Sequence, residues 1–539
     1  MTGSKILVTD AIDSGALDYL RGRGHEVVLA LDAKPDDLAR LVQGCHGWIV
    51  RSGTKVEARH IEAADVLVAI GRAGAGTDNI DTAAATRKGV AVMNTPGGNT
   101  MAAVEHTLAL LLALVRHVPD GHRSLVVEGQ WKRSGLTGVE LAGKTLGVCG
   151  LGRIGSRVAA RCRAFEMRIL GYDPYLPADA ATRMGVELVA DLDAMLPRCD
   201  VVTLHLPGGN ETKALFDAAR FARMKPGARL VNCARGSLVD EAALAAALAS
   251  GHLAGAAIDV FTREPPTGSP LLGARGLVAT PHLGASTVES QREVGVLIAR
   301  QMAQALEDGV FTDAVNLPVR DWSAFARLRH TLRLADRLGR LAGALAASGP
   351  PRARGPARRA ILRYLGGPFE ELDALDRTAT AGLLSATGGG RVNAVNAALV
   401  ARERGIAVER VVGDPRGPYP ATIELELEAG EDRIVLAGVV LADGAPRLVS
   451  LDGRALEARL EGTILAYAHQ DRPGVVGRVG ALLGEHAVGV TRFDLGRGRR
   501  GEDALAVVQL DTPADPALLA RLAQLEDIRW ISQATLPTA

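Results

Sequence analysis

The stretch TLGVCGLGRIGSRVAARCRAF, residues 145–165, decides the fold of this chain. It begins as an apolar strand-like run, ends as a helical pattern, and carries G-x-G-x-x-G between the two. Gly150 permits a tight turn, Gly152 lets a pyrophosphate approach the backbone, and Gly155 lets the helix pack on the strand. Because the helix N-terminus adds amides and a positive dipole, the pattern predicts a dinucleotide site that includes Arg153 and Ile154.

The next strand-like run, RILGYD, brings Asp173 to a position about 20 residues beyond the glycine turn. A carboxylate there accepts hydrogen bonds from both ribose hydroxyls and repels a 2′-phosphate. The sequence therefore favours NAD over NADP as the cofactor. A glycine-rich turn without a ligand is the structural alternative.

Outward from this turn, short apolar runs alternate with helical patterns on both sides, which is typical of parallel strands joined by crossover helices. The pattern predicts an α/β fold with two successive Rossmann-like or flavodoxin-like doubly wound units. The strand-like runs of the first unit are KILVTD, HEVVLA, GWIVRS, LVAIGRAGAG and AVMNTP. Those of the second unit are TLGVCG, RILGYD, DVVTLHLP, ARLVNCARG, GAAIDVF and LVATPHLG.

The pattern changes after about Leu317. Residues 320–350 are predicted to be helical, and PPRARGPARRA is predicted to be a solvated linker, with an anion site as the alternative. ILRYLGG, VNAVNAALVARERG, ATIELELEAG and RIVLAGVVLADG indicate a unit of sheet and helix. The last segment has the strand and helix order βαββαβ of a ferredoxin-like unit.

Composition limits the partners of the chain. With 62 basic and 61 acidic residues among 539, no net field exists to hold nucleic acid or an anionic membrane surface. The five cysteines are scattered and form no C-x-x-C pair, which argues against a disulfide framework and against a metal site. The N-terminal residues lead into a strand without a signal-peptide pattern, so a cytoplasmic location is expected. The cysteines are Cys45, Cys149, Cys162, Cys199 and Cys233.

Three polar residues follow strand-like runs of the second unit: Arg235, Glu264 and His282 come after the fourth, fifth and sixth runs. Ligands of such sheets bind at the carboxyl ends of the strands, so these residues are expected to converge. The oxidation of a secondary alcohol beside a carboxylate needs a base for the hydroxyl proton, a cation to hold the carboxylate and the developing carbonyl, and a nicotinamide to take the hydride. Taken singly, each residue has an ordinary structural explanation.

These motifs, with GRAGAGTDNID and NTPGGNT, resemble the D-isomer-specific 2-hydroxy acid dehydrogenase family over residues 5–317. The resemblance implies that His282 is the general acid/base, that Glu264 orients its imidazole, and that Arg235 anchors the substrate carboxylate and carbonyl. It also implies further cofactor-contacting and substrate-contacting positions, although a structural turn explains His205 and Pro207 equally well. The further cofactor positions are His205, Pro207, Cys233, Asp259 and Gly284, and the substrate positions are Arg51, Gly74 and Asn99 together with Arg235 and His282.

Arg51 follows the third strand-like run, where the resemblance implies a phosphate-binding arginine. A guanidinium suits phosphate because its planar fork gives bidentate, charge-assisted bonds. Four further cations are expected either to add positive charge to the phosphate site or to be solvated. The resemblance suggests that Lys132 and Arg133 would add their charge across a dimer interface. The four cations are Lys55, Arg72, Lys132 and Arg133.

The tail, through RVNAVNAALVARERGI, PRLVSLDG and HQDRPGVVGRVGALL, resembles the long-form phosphoglycerate dehydrogenases of this family. It implies a substrate-binding domain of residues 1–99 and 284–317, an NAD-binding domain of 100–283, an intervening domain of 318–460 and an ACT regulatory domain of 461–539. ACT domains commonly pair and bind an amino acid, so serine is the expected effector, at His469 and Asp471. Gly489 departs from the family, which usually carries Asn at this position.

The resemblance implies NAD-dependent oxidation of 3-phospho-D-glycerate to 3-phosphohydroxypyruvate, the first step of L-serine biosynthesis, by a homodimer or homotetramer. One rival hypothesis is a hydroxypyruvate or glyoxylate reductase of the same family. The other is a dinucleotide-sensing binding protein on the same fold, because fold does not fix function. A panel of substrates with and without phosphate distinguishes the first rival from a phosphoglycerate dehydrogenase. Negligible turnover of every substrate would favour the second.

Overall fold

The computed structural model of the chain describes residues 3–319, 322–350, 355–388, 391–497 and 503–537. Four β-sheets follow one another along these residues, the first two fully parallel and the last two mixed or antiparallel. The expected architecture of two α/β units followed by two α+β units is therefore confirmed.

The first sheet has the strand order β2-β1-β3-β4-β5, which is the flavodoxin-like order. Its order reverses between β1 and β3, so a crevice opens at the carboxyl ends of these strands. The strands are β1 (Lys5–Val8), β2 (Glu26–Leu29), β3 (Gly47–Val50), β4 (Ala69–Arg72) and β5 (Ala91–Met93). The helices are α1 (Ser14–Gly22), α2 (Leu38–Leu41), α3 (Ala58–Ala63) and α4 (Thr82–Lys88).

The second sheet has the order β12-β11-β10-β9-β6-β7-β8, with its reversal between β6 and β9. The two-residue strand β8 was not predicted, so Arg235 follows the fifth strand of this unit. The strands are β6 (Thr145–Cys149), β7 (Arg168–Tyr172), β8 (Glu187–Leu188), β9 (Val201–Leu204), β10 (Ala228–Asn232), β11 (Leu253–Ile258) and β12 (Leu277–Ala279). The helices are α5 (Thr100–Val115), α6 (Val118–His122), α7 (Gly155–Ala164), α8 (Ala178–Arg183), α9 (Leu192–Met195), α10 (Ala218–Arg223), α11 (Glu241–Ala249) and α12 (Val288–Glu307). Among the described residues no single helix is long and apolar enough to cross a membrane, while the bent pair of Thr100–Val115 and Val118–Val127 meets that test by length and composition only.

Helix α12 follows the second sheet in sequence but packs on the first. Its Met302 and Ile298 lie against Gly47 of β3 and Gly71 of β4, where a Cβ would approach them within 2.6 and 2.8 Å. The two glycines therefore let the helix lie directly on the strands. The first unit is completed by a segment that comes after the whole of the second sheet.

The third sheet has the order β14-β13-β15-β16-β17-β18. The linker prediction is wrong for its last part, because Ala357 to Ala360 lie in β13, while residues 351–354 are outside the described residues. The strands are β13 (Ala357–Gly366), β14 (Ala407–Gly413), β15 (Ala421–Ala429), β16 (Asp432–Val440), β17 (Pro446–Leu451) and β18 (Arg454–Arg459). The helices are α13 (Trp322–Ser348), α14 (Leu372–Ala386) and α15 (Ala397–Glu403).

The segment before α15 attaches this unit to the first one. Asn393 Nδ2 donates to the carbonyl oxygen of Gly89 at 2.7 Å, and Asn396 Nδ2 donates to that of Arg87 at 3.3 Å. Val395 between them is buried in the core around the first sheet. The predicted helix VNAVNAALVARERG begins only at Ala397, because Asn393 and Asn396 use their side chains to bond neighbouring backbone instead.

The fourth sheet has the order β20-β21-β19-β22, which is the ferredoxin-like arrangement that was predicted. Asp515 caps α17 by accepting from the Leu518 amide at 2.7 Å. Helix α13 lies between the third and fourth sheets, and a single hydrophobic core includes residues of the helix and of both sheets. The elements are β19 (Gly462–Gln470), α16 (Val475–Glu485), β20 (Val490–Gly496), β21 (Asp503–Leu510), α17 (Pro516–Ala523) and β22 (Ile528–Leu536).

Candidate active site

The glycine turn has the shape that a dinucleotide needs. Gly150 has φ +90°, and a Cβ there would lie 2.5 Å from the carbonyl oxygen of His205. A Cβ on Gly155 would lie 1.9 Å from the carbonyl oxygen of Gly150, so only glycine allows α7 to start this close to the strand. In the described part of the chain, no heavy atom lies within 4 Å of a Cβ built on Gly152, which leaves the backbone open to a pyrophosphate.

Asp173 follows β7 and is held beside this turn. Its Oδ2 accepts from the Leu151 amide at 2.9 Å, and its Oδ1 accepts from the Tyr175 amide at 3.0 Å. The carboxylate is therefore fixed next to the second residue of the turn, where the ribose of a bound dinucleotide would lie. These residues fit NAD.

A cleft of about 250 Å³ separates the first and second units and is lined by residues of both. Most of the sequence-predicted site residues line it, while Glu264 stands behind His282 and Arg153 lines a neighbouring hollow with Gly97 and Arg157. Gly150, Gly152, Gly155 and Asp173 lie at the turn itself. The predicted residues in the lining are Arg51, Gly74, Asn99, Ile154, His205, Pro207, Cys233, Arg235, Asp259, His282 and Gly284.

His282 and Glu264 form a hydrogen-bonded pair at the carboxyl ends of β12 and β11. His282 Nδ1 lies 2.8 Å from Glu264 Oε2, and Glu264 Oε1 accepts from the Phe261 amide at 3.1 Å. Burial alone would raise the pKa of Glu264, but the hydrogen bond and charge of His282 lower it below its usual value. Because an ionised carboxylate only accepts hydrogen bonds, Nδ1 carries the hydrogen and Nε2 keeps a lone pair that can take a proton.

Arg235 connects the two sides of the cleft. Its Nε donates to Asp78 Oδ2 at 2.9 Å, and its Nη1 donates to the carbonyl oxygen of Ala234 at 2.8 Å. Asn232, the last residue of β10, donates from Nδ2 to the carbonyl oxygen of Arg235 at 2.8 Å and so fixes the loop. A guanidinium of the second unit is thereby held against the first unit.

Arg72 is a largely buried cation of the cleft, although its sequence position indicated only a secondary role. Its Nε has no hydrogen-bond partner among the described residues. Burial lowers the pKa of Arg72 to about 10, and the positive charges of Arg235 and Arg51 act in the same direction. Arg72 is the last residue of β4, and Arg51 directly follows β3. This shared position at a strand end is the sequence signal that could have identified Arg72 as a cleft residue. The cleft is therefore strongly suited to a small anion with more than one negative charge.

Two uncharged groups line the cofactor side of the cleft. Burial lowers the pKa of His205 to about 4, and its Nε2 lies 3.0 Å from Thr203 Oγ1. Burial raises the pKa of the Cys233 thiol to about 12, so this cysteine is a packing group and not a thiolate nucleophile at neutral pH. Neither side chain is charged near pH 7.

The remaining predicted cations do not line the cleft in the single chain. Lys55 is exposed and lies 3.4 Å from Glu57. Lys132 and Arg133 are exposed on the segment after α6. Among the described residues, no group of three or more His, Cys, Asp or Glu side chains is arranged to hold a metal ion.

The predicted effector residues lie at the end of β19 and just beyond it. His469 is buried and its Nδ1 bonds the carbonyl oxygen of Gln470 at 2.8 Å, whereas Asp471 lies 3.4 Å from Arg497. Sequence reasoning missed Asp511, whose Oδ1 accepts from the Gly489 amide at 2.8 Å. A Cβ on Gly489 would lie 2.3 Å from Asp511 Oδ2, so Asp511 occupies the space that an asparagine at 489 would need.

Family models match two separate parts of the chain. The NAD-binding domain of the D-isomer specific 2-hydroxyacid dehydrogenases matches residues 108–284. The intervening domain of D-3-phosphoglycerate dehydrogenases matches residues 327–452. The glycine turn and the Arg235, Glu264 and His282 loops all lie in the first match, which makes the second sheet an NAD-binding unit.

Relatives and solved structures extend this similarity. D-3-phosphoglycerate dehydrogenase of Archaeoglobus fulgidus is 38% identical over 97% of this chain and 98% of its own length. The enzyme of that name from Bacillus subtilis is 35% identical over 91% of this chain and 92% of its own. A glyoxylate reductase from Paecilomyes thermophila is 28% identical and superimposes with a TM-score of 0.53 on 58% of this chain and 99% of its own. D-lactate dehydrogenase from Escherichia coli, at 26% identity, gives a TM-score of 0.51 over 58% of this chain and 99% of its own.

The solved neighbours thus cover the catalytic half, whereas the relatives named D-3-phosphoglycerate dehydrogenase also cover the third and fourth sheets. The cleft, the glycine turn and the tail agree with this division. The chain belongs to the D-3-phosphoglycerate dehydrogenase family of D-isomer specific 2-hydroxyacid dehydrogenases.

Proposed function

We propose that this chain oxidises 3-phospho-D-glycerate to 3-phosphohydroxypyruvate with NAD, the first step of L-serine biosynthesis. The observation that carries the proposal is the convergence of Arg51, Arg72 and Arg235 on the cleft that also holds His282. A substrate with a carboxylate at one end and a phosphate at the other neutralises these charges. The glyoxylate, lactate and hydroxypyruvate molecules lack the second anionic group.

In the proposed reaction, Arg235 binds the substrate carboxylate and the oxygen on C2, while Arg51 and Arg72 bind the phosphate. His282 Nε2 takes the proton of the C2 hydroxyl, and the Glu264 carboxylate balances the positive charge that forms on the imidazole. A bound NAD, held by the glycine turn and Asp173, would supply the hydride acceptor for C2. The alcohol thereby loses one proton and one hydride and becomes the ketone.

A substrate panel with the full chain tests this function. NADH formation is measured with 3-phosphoglycerate, D-glycerate and D-lactate, and NADH consumption with hydroxypyruvate and glyoxylate. Each lost charge-assisted bond costs about 1.5–3 kcal/mol, so removing the phosphate should lower kcat/KM by about 10² or more. Equal or faster turnover without phosphate would replace this function by that of a hydroxypyruvate or glyoxylate reductase, and no turnover of any substrate would favour a sensing protein.

We also propose that two copies pair through the second unit, with a tetramer as a further assembly. The support is an exposed apolar segment after α6, in which Trp131 is 81% exposed and Val127 73%. A groove on the same unit, lined by Leu112, Val115 and Phe165 among others, offers an apolar counterpart in a second copy. In that dimer, Lys132 or Arg133 would reach the other copy's cleft.

Sedimentation velocity of Val127→Asp beside Leu272→Asp tests this pairing, since Leu272 is likewise an exposed aliphatic residue of the second unit but lies outside the segment. Monomers of the first variant and unchanged oligomers of the second are expected. An unchanged mass in both variants would contradict pairing through this segment.

For the fourth sheet, we propose serine as the effector, bound by His469 and Asp471 with Asp511 in place of the family's asparagine side chain. The support is the buried His469 Nε2, which has no partner among the described residues. Calorimetric titration of serine into the full chain, with wild type and Asp471→Ala, tests it, and absence of both heat and inhibition in the wild type would contradict it.

From the five free cysteines, four of them buried, we propose a cytoplasmic location, which cell fractionation tests.

A further inference from the structure

His106 of α5 reaches the back of the cleft from a helix that comes long before the catalytic loops. Its Nε2 lies 3.1 Å from Asp259 Oδ1 and 3.0 Å from Thr280 Oγ1. Thr280 Oγ1 itself lies 2.6 Å from Asp259 Oδ1. His106 is not among the residues that line the cleft, so it acts on the site only through these two neighbours.

The hydrogens of this cluster can be assigned by counting donors. The Thr280 hydroxyl has one hydrogen, and the short contact to a carboxylate oxygen requires that it points at Asp259. Thr280 then has no second hydrogen that it could donate to His106. His106 Nε2 must therefore carry a hydrogen and donate it to Asp259 and Thr280 together.

Asp259 is fully buried and binds the loop that carries His282. Its Oδ1 also accepts from the Leu283 amide at 2.7 Å, and its Oδ2 accepts from the Gly284 amide at 2.9 Å. Burial alone would raise the pKa of Asp259, but hydrogen bonds from His106 and Thr280 hold it below its usual value. The carboxylate therefore stays ionised and remains a strong acceptor for both amides.

The loop needs such an anchor because His282 has φ +56°, a left-handed backbone region that is strained for a residue other than glycine. The His282 amide also donates to the carbonyl oxygen of Asp259 at 2.9 Å. Among the described residues, Oδ1 accepts hydrogen bonds from three donors and Oδ2 from one. Oδ2 of Asp259, which lines the cleft, can therefore accept a further hydrogen bond. His106 is the third donor to Oδ1.

We propose that His106 is a positioning residue for hydride transfer: through Asp259 it holds the loop of His282 in its productive conformation. The inference rests on the proposed function for its kinetic readout. It predicts an effect on turnover and not on substrate affinity, because no contact to substrate is involved.

The test compares His106→Ala with His106→Gln, whose amide nitrogen occupies nearly the place of Nε2 and can donate to Asp259. Since a displaced catalytic group costs about 10²-fold, kcat of the alanine variant should fall by about 10–100-fold with KM for the phosphorylated acid close to wild type. The glutamine variant should recover most of kcat. His252→Ala is the matched control, because His252 Nε2 bonds the carbonyl oxygen of Phe221 at 2.9 Å in the same unit but away from the cleft.

Hydrogen exchange of the Leu283 and Gly284 amides gives a readout that needs no turnover. The exchange rate of these amides should rise in His106→Ala, return towards the wild-type rate in His106→Gln and equal the wild-type rate in His252→Ala. A kcat loss that glutamine does not restore, or wild-type kcat and exchange in the alanine variant, would overturn the inference. If the wild type turns over no 2-hydroxy acid, the proposed function fails, and the exchange series alone decides the role of His106.

Discussion

His282 Nδ1 lies 2.8 Å from Glu264 Oε2, although the two residues are carried by loops after different strands. The contact decides which nitrogen of the imidazole is free for chemistry. In the proposed reaction it also keeps a negative charge beside the ring when the ring takes the substrate proton. Two variants separate these effects.

Glu264→Gln keeps an oxygen that can accept from Nδ1 but removes the charge, so kcat should fall by about 10²-fold while NAD still binds. His282→Ala should lower kcat by about 10²–10⁴-fold, again with NAD binding retained. Because the two residues act as a unit, the double variant should be no slower than His282→Ala. Stopped-flow NADH formation and NAD titration measure these values, with Glu187→Gln, on the distant strand β8, as the control. Additive losses would contradict the pairing.

Arg72→Met should weaken substrate binding without lowering the stability of the fold. Loss of a charge-assisted contact to phosphate should raise KM for the phosphorylated acid by about 10–100-fold. Because a buried guanidinium whose Nε lacks a partner is replaced by an apolar chain, the midpoint of thermal unfolding should stay equal or rise. Arg40→Met, at an exposed pair with Asp37, is the control. A lowered KM, or strong destabilisation with unchanged KM, would rule out a phosphate role.

Asp173→Ala should weaken NAD and narrow its advantage over NADP. Loss of bonds to the ribose hydroxyls should raise the dissociation constant of NAD by about 10-fold or more, whereas NADP loses a repulsion. Fluorescence titration with both cofactors measures the ratio. Asp179→Ala serves as the control, because Asp179 is an exposed acid on α8 paired with Arg183. An unchanged ratio of the two constants would count against Asp173.

His205 should make the folded state sensitive to mild acid. Its folded pKa of about 4 lies below the ordinary value of 6.5, so between these values the unfolded chain binds a proton that the folded chain does not. Its contribution is present above pH 6.5 and is lost as the pH falls towards 4, by up to about 3 kcal/mol. Urea unfolding across this range should show a flatter pH dependence for His205→Gln than for the wild type. Parallel curves would show that the imidazole is not held neutral.

Local sequence patterns predicted much of this protein. The glycine turn, the strand-end positions of Arg235, Glu264 and His282, and the final βαββαβ order are each encoded within short segments, so periodicity and turn chemistry suffice to find them. The parallel sheets follow from the alternation of apolar runs with helical patterns. The convergence of these three residues followed from one general rule about strand ends.

Contacts between distant segments could not be predicted in this way. His106 and Asp259 are separated by 153 positions, and no spacing rule relates a helix residue to a loop that far along the chain. The burial of Arg72 and the occupation of the Gly489 space by Asp511 are likewise packing results. The helix before Ala397 failed for a local reason, since asparagine side chains competed with helical hydrogen bonds there.

The return of α12 to the first sheet has a consequence for synthesis on the ribosome. The strands with Gly47 and Gly71 emerge early, but Ile298 and Met302, which cover them, follow more than two hundred residues later. At translation rates of roughly 5–20 residues per second, that apolar face stays uncovered for roughly 10–50 seconds. The first unit therefore cannot complete its core during synthesis until the whole of the second unit has been made.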